Sequence, residues 1–164
     1  MTDVVLLGVG NPLMGDDGIG LVALEQLRSH WVLPEEVELI DGGTWGMQLL
    51  PTIEAADEVI ILDAIRAGSA AGAIVRLEKD ELPRFFRAHV SPHHITLEDV
   101  FAVLEFKGTA PERISALGLE PQAVTWGMGL SPVVEAAIPD LVTTVVTRLR
   151  ERGHTVRPRE LVDA

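Results

Sequence analysis

The feature that most constrains the fold of this chain is an unbroken apolar run, Val4–Val9, which ends at Gly10. A strand without polar alternation is buried on both faces, as in parallel sheets that helices cover on two sides. Further strand and amphipathic helix patterns alternate along the chain: strands at 36–40, 59–62, 73–77 and 114–119, and helices at 18–31, 44–53, 96–106 and 131–149. This alternation predicts an α/β fold, a three-layer domain whose central, mostly parallel sheet of about five strands has helices on both faces.

The later helices and the end of the chain carry more detailed expectations. Thr96 is predicted to cap the third helix, and Pro139 to kink or split the fourth, because a proline removes a backbone hydrogen bond. Gly153 should end that fourth helix. The charged segment 154–164 has too few apolar residues to join the core, so residues 1–164 are predicted to form a single domain with a charged C-terminal tail.

Composition excludes several classes of function. The chain has 25 acidic and 13 basic residues and a net charge of −12, whereas nucleic acids are bound by clustered Lys and Arg, so no nucleic-acid partner is expected. It has no cysteine, which excludes disulfides, a cysteine nucleophile and thiolate metal ligands from this chain. No apolar run approaches the ~20 residues that span a bilayer, and no signal-peptide pattern is present. We therefore expect a cytoplasmic protein without a membrane partner.

The densest motif is the glycine-rich segment 8–20, GVGNPLMGDDGIG, which joins the first strand to the first helix. A dinucleotide-binding fingerprint does not fit, because Leu13 stands where the third glycine belongs and Asp16 and Asp17 would repel a pyrophosphate. A P-loop is excluded because the segment has no lysine. Two interpretations stay open: the two aspartates cap the helix, or they face a ligand around which the backbone packs closely.

Asp63 and a histidine pair are the other candidate site residues. Asp63 directly follows the 59–62 strand, at the sheet edge where open α/β folds bind ligands, although it could equally be a turn residue bonded to backbone amides. His93 and His94 follow Pro92 in a loop before a helix, where one imidazole can point inward. If the loop carboxylates, Asp63 and His93 converge, their oxygen and nitrogen ligands suit Zn²⁺, Ni²⁺ or Mn²⁺.

Two other kinds of hydrolase receive no support from the motifs. The chain has no Gly-x-Ser-x-Gly elbow, and Ser131 precedes Pro132 at an evident helix cap, so a Ser-His-Asp triad is hard to support. It has no His-Glu-x-x-His motif, which excludes a zinc protease of that type.

Five motifs follow one another from the first strand to the last helix. They are segment 8–20, Asp41-Gly42-Gly43-Thr44-x-Gly46-Met47, Ile61-Leu62-Asp63-Ala64, Ser91-Pro92-His93 and Gly129-Leu130-Ser131-Pro132-Val133-Val134-Glu135. Together they resemble the motifs of the nickel–iron hydrogenase maturation endopeptidases. The resemblance implies a protease that removes a short C-terminal extension from the precursor of the hydrogenase large subunit after nickel has been inserted.

The resemblance also implies roles for particular residues. Asp17, Asp63 and His93 would bind the nickel and act in catalysis, with Asp16 as the alternative to Asp17. The segment Asp41-Gly42-Gly43-Thr44 matches a part of the family that is associated with substrate discrimination. Because this chain has no cysteine, any thiolates around the nickel would come from the substrate, and zinc could substitute in the free protein with loose binding.

The hydrolytic step and the exact function have alternatives. The metal could polarise the scissile carbonyl or activate a water, or Asp17 or Asp63 could be the general base. The same scaffold could also serve another metal-assisted hydrolase, or a non-catalytic nickel-binding assembly factor.

Overall fold

The computed structural model of the chain describes residues 2–43, 47–82 and 92–160, and for 43, 47 and 92–98 the description covers the backbone alone. The strands are β1 (Val4–Val9), β2 (Trp31–Val32), β3 (Val37–Gly43), β4 (Glu58–Ala64), β5 (Ile74–Glu78), β6 (Arg113–Leu119) and β7 (Arg157–Pro158). The α-helices are α1 (Ile19–His30), α2 (Leu50–Ala55), α3 (Pro92–Lys107) and α4 (Pro132–Glu151), and short 3-10 helices lie at Gly15–Gly18, Met47–Leu49 and Lys79–Glu81.

The five-stranded sheet has the order β3-β1-β4-β6-β5. The pairs β3–β1, β1–β4 and β4–β6 are parallel, and β5 pairs antiparallel with β6. The predicted α/β class with a mostly parallel sheet of five strands is confirmed. The carboxyl ends of β1, β3, β4 and β6 consequently meet at one edge, which is called the carboxyl edge below. Across the described parts of the chain, no helix combines the length and the apolar character that a bilayer span requires.

Alternating side chains of the central strands enter two separate cores. Leu6 of β1 and Ile60 of β4 pack with residues of α1 and α4, whereas Leu7 and Ile61 pack with residues of α2 and α3. All four of these side chains are fully buried. Both faces of the sheet are therefore covered, which explains why β1 and β4 are continuously apolar instead of alternating.

A close glycine contact fixes α1 on the sheet. A Cβ atom added at Gly20 would lie 1.9 Å from the carbonyl oxygen of Leu62 and 2.7 Å from that of Val9. On the sheet side, a Cβ atom at Gly8 would lie 3.0 Å from the carbonyl oxygen of Gly20. Only a residue without a side chain allows the first turn of α1 to contact the ends of β1 and β4 so closely.

Several predicted boundaries are corrected by the structure. The third predicted helix, α3, begins at Pro92, so Thr96 lies inside it and is not its cap. The fourth, α4, is one element across Pro139, so Pro139 does not split it, and the alternative that Pro139 kinks it stays a prediction. Pro139 lies on the exposed side of α4, whose opposite side packs on the sheet through buried residues before and after the proline. This packing stabilises the helix despite the lost backbone hydrogen bond.

The segment after α4 also differs from its prediction. Gly153 follows the helix with a φ of 91°, as expected of a glycine that ends one. Beyond it, Val156 is buried in the core, which contradicts the expectation that this segment contributes nothing there. Strand β7 then pairs antiparallel with β2. The guanidinium of Arg150 on α4 donates two hydrogen bonds to the Val156 carbonyl and lies 5.4 Å from the ring centre of Trp31 in β2. These contacts fasten the segment to α4 and β2.

We expect Gly20→Ala to lower the stability of the protein, although alanine is the better helix former. The added Cβ would meet backbone atoms, so α1 must move from the sheet, at a cost of about 1–3 kcal/mol. Gln26→Ala is the control, because Gln26 is exposed on the same helix and gains only helix propensity. Thermal unfolding of both variants measures the difference; a Gly20→Ala protein at least as stable as wild type would contradict the close contact.

Candidate functional site

The carboxyl edge brings together residues from three of the five sequence motifs. The Cα atom of Gly8 on β1 is in register with Asp41 of β3 on one side and with Leu62 of β4 on the other. Asp63 is the next residue of β4, and the loop to Asp17 starts two residues after Gly8 on β1. Strand pairing therefore sets the positions of Asp41 and Asp63 on opposite sides of the end of β1, and the loop lies between them.

Asp63 is fully buried and belongs to β4 itself, so it does not follow the strand as predicted. Its Oδ1 accepts a hydrogen bond of 2.8 Å from the backbone N–H of Ala64. On β6, Gly118 is in register with Asp63, and a Cβ there would lie 1.9 Å from the Asp63 carbonyl oxygen. The backbone of Asp63 is thus held closely between neighbouring strands, and its carboxylate has a position fixed by the sheet.

Asp17 reaches the same place from the glycine-rich loop. Its side chain is 7% exposed, and Oδ2 accepts a hydrogen bond of 2.8 Å from the backbone N–H of Asn11. A Cβ atom at Gly10 would lie 2.0 Å from the carbonyl oxygen of Asp17 and 3.5 Å from Oδ1 of Asp63. Gly10 also has a φ of 126°, a conformation that suits glycine. The backbone of Asp17 and the carboxylate of Asp63 therefore both lie beside Gly10.

Asp16 has a different environment from its neighbour. Its Oδ2 accepts hydrogen bonds from the backbone N–H groups of Gln122 and Ala123 and from the hydroxyl of Ser131, and its Oδ1 accepts one from the N–H of Ser131, all between 2.7 and 2.9 Å. Asp16 is fully buried. Its carboxylate joins the first loop to the segment before α4, so the interpretation of Asp16 as a cap of α1 is wrong. The cap residue of α1 is Gly18, without a side-chain cap bond.

These contacts decide the ionisation of Asp16 and the role of Ser131. Burial opposes the charged form and is the largest single influence on the pKa of Asp16, but the hydrogen bonds from Ala123, Ser131 and Gln122 together outweigh it and hold that pKa below its ordinary value of 3.8. Ser131 precedes α4 as predicted, yet its hydroxyl bonds to Asp16 and makes no cap bond to the helix.

The remaining predicted site residues are described only in part. His93 and His94 lie in the first turn of α3 and not in a loop before it, and their side chains fall outside the described residues. The sharing of one crevice by Asp17, Asp63 and His93 therefore stays a prediction. Within the described parts of the chain, no three His, Asp or Glu side chains form a group that could hold a metal ion.

The segment with the predicted substrate-discrimination role ends the edge strand β3. Asp41 is exposed and Gly42 is buried, where a Cβ would lie 2.8 Å from Cδ1 of Leu7. The backbone of Gly43 pairs with Val9 after a shift in register. Thr44 lies outside the described residues. Packing against Leu7 therefore explains the glycine at position 42 without any role in substrate binding. The exposed Asp41, in contrast, can contact a partner at the surface.

Sequence reasoning missed the segment that packs against the glycine-rich loop. Met14 and Gly127 form a parallel β-bridge, and Trp126 and Met128 on either side of Gly127 are each 80% exposed. The signal in the sequence is the pattern Trp-Gly-Met-Gly before α4, in which large apolar residues alternate with glycines in a segment without strand or helix periodicity.

Comparison with known proteins identifies close relatives. A family model described as hydrogenase maturation protease (HycI) matches residues 22–148. The hydrogenase 2 maturation protease of Escherichia coli is 39% identical over 160 residues, which cover 97% of this chain and 98% of the relative. The hydrogenase expression/formation protein HupD of Thiocapsa roseopersicina is 33% identical, with 96% of this chain and 72% of the relative covered.

Solved structures show the same fold. The hydrogenase maturating endopeptidase HybD from E. coli superposes with a TM-score of 0.91 at 38% identity, covering 96% of this chain and 98% of that one. The [NiFe] hydrogenase maturation protease HybD from Thermococcus kodakarensis gives a TM-score of 0.71 at 25% identity, with coverages of 90% and 99%.

We expect Asp16→Asn to destabilise the fold strongly. An amide in place of the carboxylate turns one acceptor into a donor amid several N–H and O–H donors, so the loss should be about 2 kcal/mol or more. Ser131→Ala, which removes one of these donors, should cost about 1 kcal/mol. Asp140→Asn, on the exposed side of α4, is the matched control and should change stability little. Urea unfolding at neutral pH compares the three variants.

Asp16 should also contribute to acid sensitivity. Because its pKa is lowered by folding, its charged form stabilises the native state fully above the ordinary carboxyl pKa of 3.8, and this contribution is lost as the pH falls through the lower pKa of the folded protein. The stability difference between wild type and Asp16→Asn should therefore shrink below about pH 4. A difference that grows on acidification would contradict the lowered pKa.

Proposed function

We propose, from the premise that this chain belongs to the hydrogenase maturation protease family, that it removes the C-terminal extension from the nickel-loaded precursor of a nickel–iron hydrogenase large subunit. Membership makes the chain a hydrolase of the peptidase type. The observation that supports a site in this chain is that the Asp17 backbone and the Asp63 carboxylate both lie beside Gly10 at the carboxyl edge, with the Asp17 carboxylate bonded to the adjacent Asn11 N–H. The cytoplasmic location stays a prediction.

Asp17 is the better candidate than Asp16 for contact with the substrate. Both oxygens of Asp16 accept bonds from the segment before α4, and these bonds connect parts of the fold that are far apart in the sequence. Replacing them by a ligand would leave several backbone N–H groups without a partner, at a cost of about 1–3 kcal/mol for each buried group. Asp17 lies at Gly10 together with Asp63, and it retains slight exposure.

Nickel belongs to the substrate in this proposal. Asp17 and Asp63 supply carboxylate oxygens, and His93 supplies an imidazole from the first turn of α3, a donor set that suits a borderline divalent ion. Because the chain has no cysteine, thiolate ligands must come from the precursor. The complete set of ligands would then exist only in the complex, which makes cleavage depend on nickel insertion. Zinc could bind the same residues in the free protein, loosely.

The cleavage step needs a water molecule activated beside the scissile carbonyl. One of the two carboxylates can take a proton from that water as general base, provided that it lies within hydrogen-bonding reach of it. The metal of the substrate can instead polarise the carbonyl. In both routes the chain also contributes positioning, because the Asp63 carboxylate is fixed in a strand and Asp17 in a loop that Asp16 anchors.

Discrimination between precursors is proposed for Asp41, Gly42, Gly43 and Thr44. Asp41 is exposed at the end of β3, in register with Gly8, and therefore lies beside the strand from which the Asp17 loop departs. A substrate bound at the carboxyl edge would meet this carboxylate first on the β3 side. An exposed charge at the margin of an interface favours selection among partners over raw affinity.

The decisive experiment uses purified protein with nickel-loaded and nickel-free precursor. Mass spectrometry of the precursor should show release of a C-terminal peptide from the loaded form only. Binding without cleavage would identify an assembly factor, and cleavage of both forms equally would identify a protease that does not recognise nickel. Either result would contradict the proposal.

Asp63→Asn should abolish processing without loss of the fold. The amide oxygen can still accept the hydrogen bond from the Ala64 N–H. The amide is neutral, however, so it can neither bind a cation as a carboxylate does nor accept a proton as a general base. The rate of cleavage of nickel-loaded precursor should fall by about 100-fold or more, with near-normal thermal unfolding. Asp17→Asn should also reduce processing, and Asp140→Asn should not. Wild-type processing by Asp63→Asn would remove that residue from the site.

His93→Gln should lose processing as well, since an amide is a much poorer ligand than imidazole. The matched control is His94→Gln, one residue along α3. It should retain activity, because a neighbouring helical position points about 100° away around the helix axis. Equal loss in both variants would show that the start of the helix is disturbed as a whole, and would leave His93 without its proposed role.

A further inference from the structure

Large apolar side chains lie exposed beside the candidate site. Trp126 and Met128 are each 80% exposed, and Leu13 is 48% exposed. These three residues are called the apolar rim. Leu13 belongs to the glycine-rich loop, and the other two belong to the segment that packs on it. Exposed tryptophan and methionine on a surface loop are typical of protein–protein interfaces and are costly to leave in water without a use.

Hydrogen bonds fix the loops that carry the apolar rim. The N–H of Gly127 donates to the carbonyl of Leu13, and the N–H of Gly15 donates to the carbonyl of Gly127, both at 2.9 Å. The Asp16 carboxylate holds the same two segments together a few residues further on. The backbone that carries Trp126 and Met128 is therefore already fixed. Binding of a partner would cost little conformational entropy there, because little of the backbone would have to become ordered.

The apolar rim is connected to the candidate site through the glycine-rich loop. The Asp17 backbone and the Asp63 carboxylate both lie beside Gly10 of that loop. A polypeptide that packs on Leu13 would therefore contact the same loop that carries Asp17, four residues further along the chain. Leu13 of the rim and Asp17 of the candidate site share one loop, and the segment that carries Trp126 and Met128 is hydrogen-bonded to that loop. Such an arrangement suits a surface that positions a substrate for reaction.

The charges around the apolar rim restrict the partner. Segments 9–27 and 114–147, which include the rim and its supports, contain no Lys or Arg, although they contain several acidic residues. These segments therefore offer no basic side chain that could pair with an acidic peptide or a phosphate-bearing polymer. The surface suits a polypeptide with apolar side chains that is neutral or basic.

We propose that the apolar rim docks the precursor polypeptide beside the bond to be cleaved, with apolar side chains of the substrate packed on Trp126 and Met128. This inference rests on the proposed function and adds to it the surface that holds the substrate. The rim acts in binding and takes no part in the hydrolytic step. Nickel recognition and polypeptide docking then use different side chains, which come from different segments of the chain.

The test compares Trp126→Ala and Met128→Ala with Phe106→Ala in the full-length protein. Phe106 is 94% exposed near the end of α3, so its removal is a matched loss of an exposed aromatic side chain outside the apolar rim. With nickel-loaded precursor, Trp126→Ala should raise KM by about tenfold or more and leave kcat within about twofold, the pattern of lost binding. Phe106→Ala should match wild type in both constants and all variants should unfold normally.

A second measurement does not depend on cleavage. Nickel-free precursor should bind to wild type and to Phe106→Ala with equal Kd, and about tenfold more weakly to Trp126→Ala. Equal Kd and KM values in all variants would overturn the docking proposal while wild-type cleavage keeps the proposed function intact. Absence of cleavage by wild type would instead overturn the function. A change of oligomeric mass in Trp126→Ala with unchanged KM would show that a second copy covers the rim, and would also overturn the proposal.

Discussion

The buried carboxylate of Asp16 is the interaction on which the arrangement of the carboxyl edge depends. It accepts hydrogen bonds from Gln122, Ala123 and Ser131, so one side chain connects the loop after β1 with the chain between β6 and α4. Those N–H groups precede a helix or lie in a loop, where the fold offers them no regular partner. The carboxylate satisfies them, and in doing so it positions Asp17, the start of α1 and the apolar rim relative to one another.

Glycine has a second, independent role at this edge. Gly10, Gly20 and Gly118 each lie where a Cβ atom would come within about 2 Å of a carbonyl oxygen. The glycine-rich loop is thus packed around atoms of the protein itself, which is why its composition resembles a phosphate-binding loop without being one. The conformational entropy that glycine loses on folding opposes this arrangement, and the tight packing of α1 against β1 and β4 offsets it.

The sequence predicts most of the fold because the signals for the central strands are local. Continuous apolar runs identify β1 and β4 on inspection, and Asp63 could be assigned to the carboxyl edge from its position after such a run. The role of Asp16 was not accessible, because its partners lie more than 100 residues away and sequence shows only a pair of adjacent aspartates. The β2–β7 pair is not predictable from the sequence for a different reason. Each strand has only two residues, one of which in β7 is a proline, and so short a segment shows no periodicity.

Asp16 and Asp17 are adjacent in the sequence but have different partners, so substitutions at the two positions should have different effects. Because Asp16 satisfies several buried donors, we expect it to tolerate almost no substitution, whereas the role proposed for Asp17 requires only a carboxylate that reaches the substrate. Under the proposed function, Asp16 serves the stability of the fold and the adjacent Asp17 serves recognition of the substrate. The same separation applies across the edge: Asp63 is fixed by strand pairing, Asp41 lies exposed at the end of β3, and the surface around Trp126 can adapt to a partner without disturbing the core.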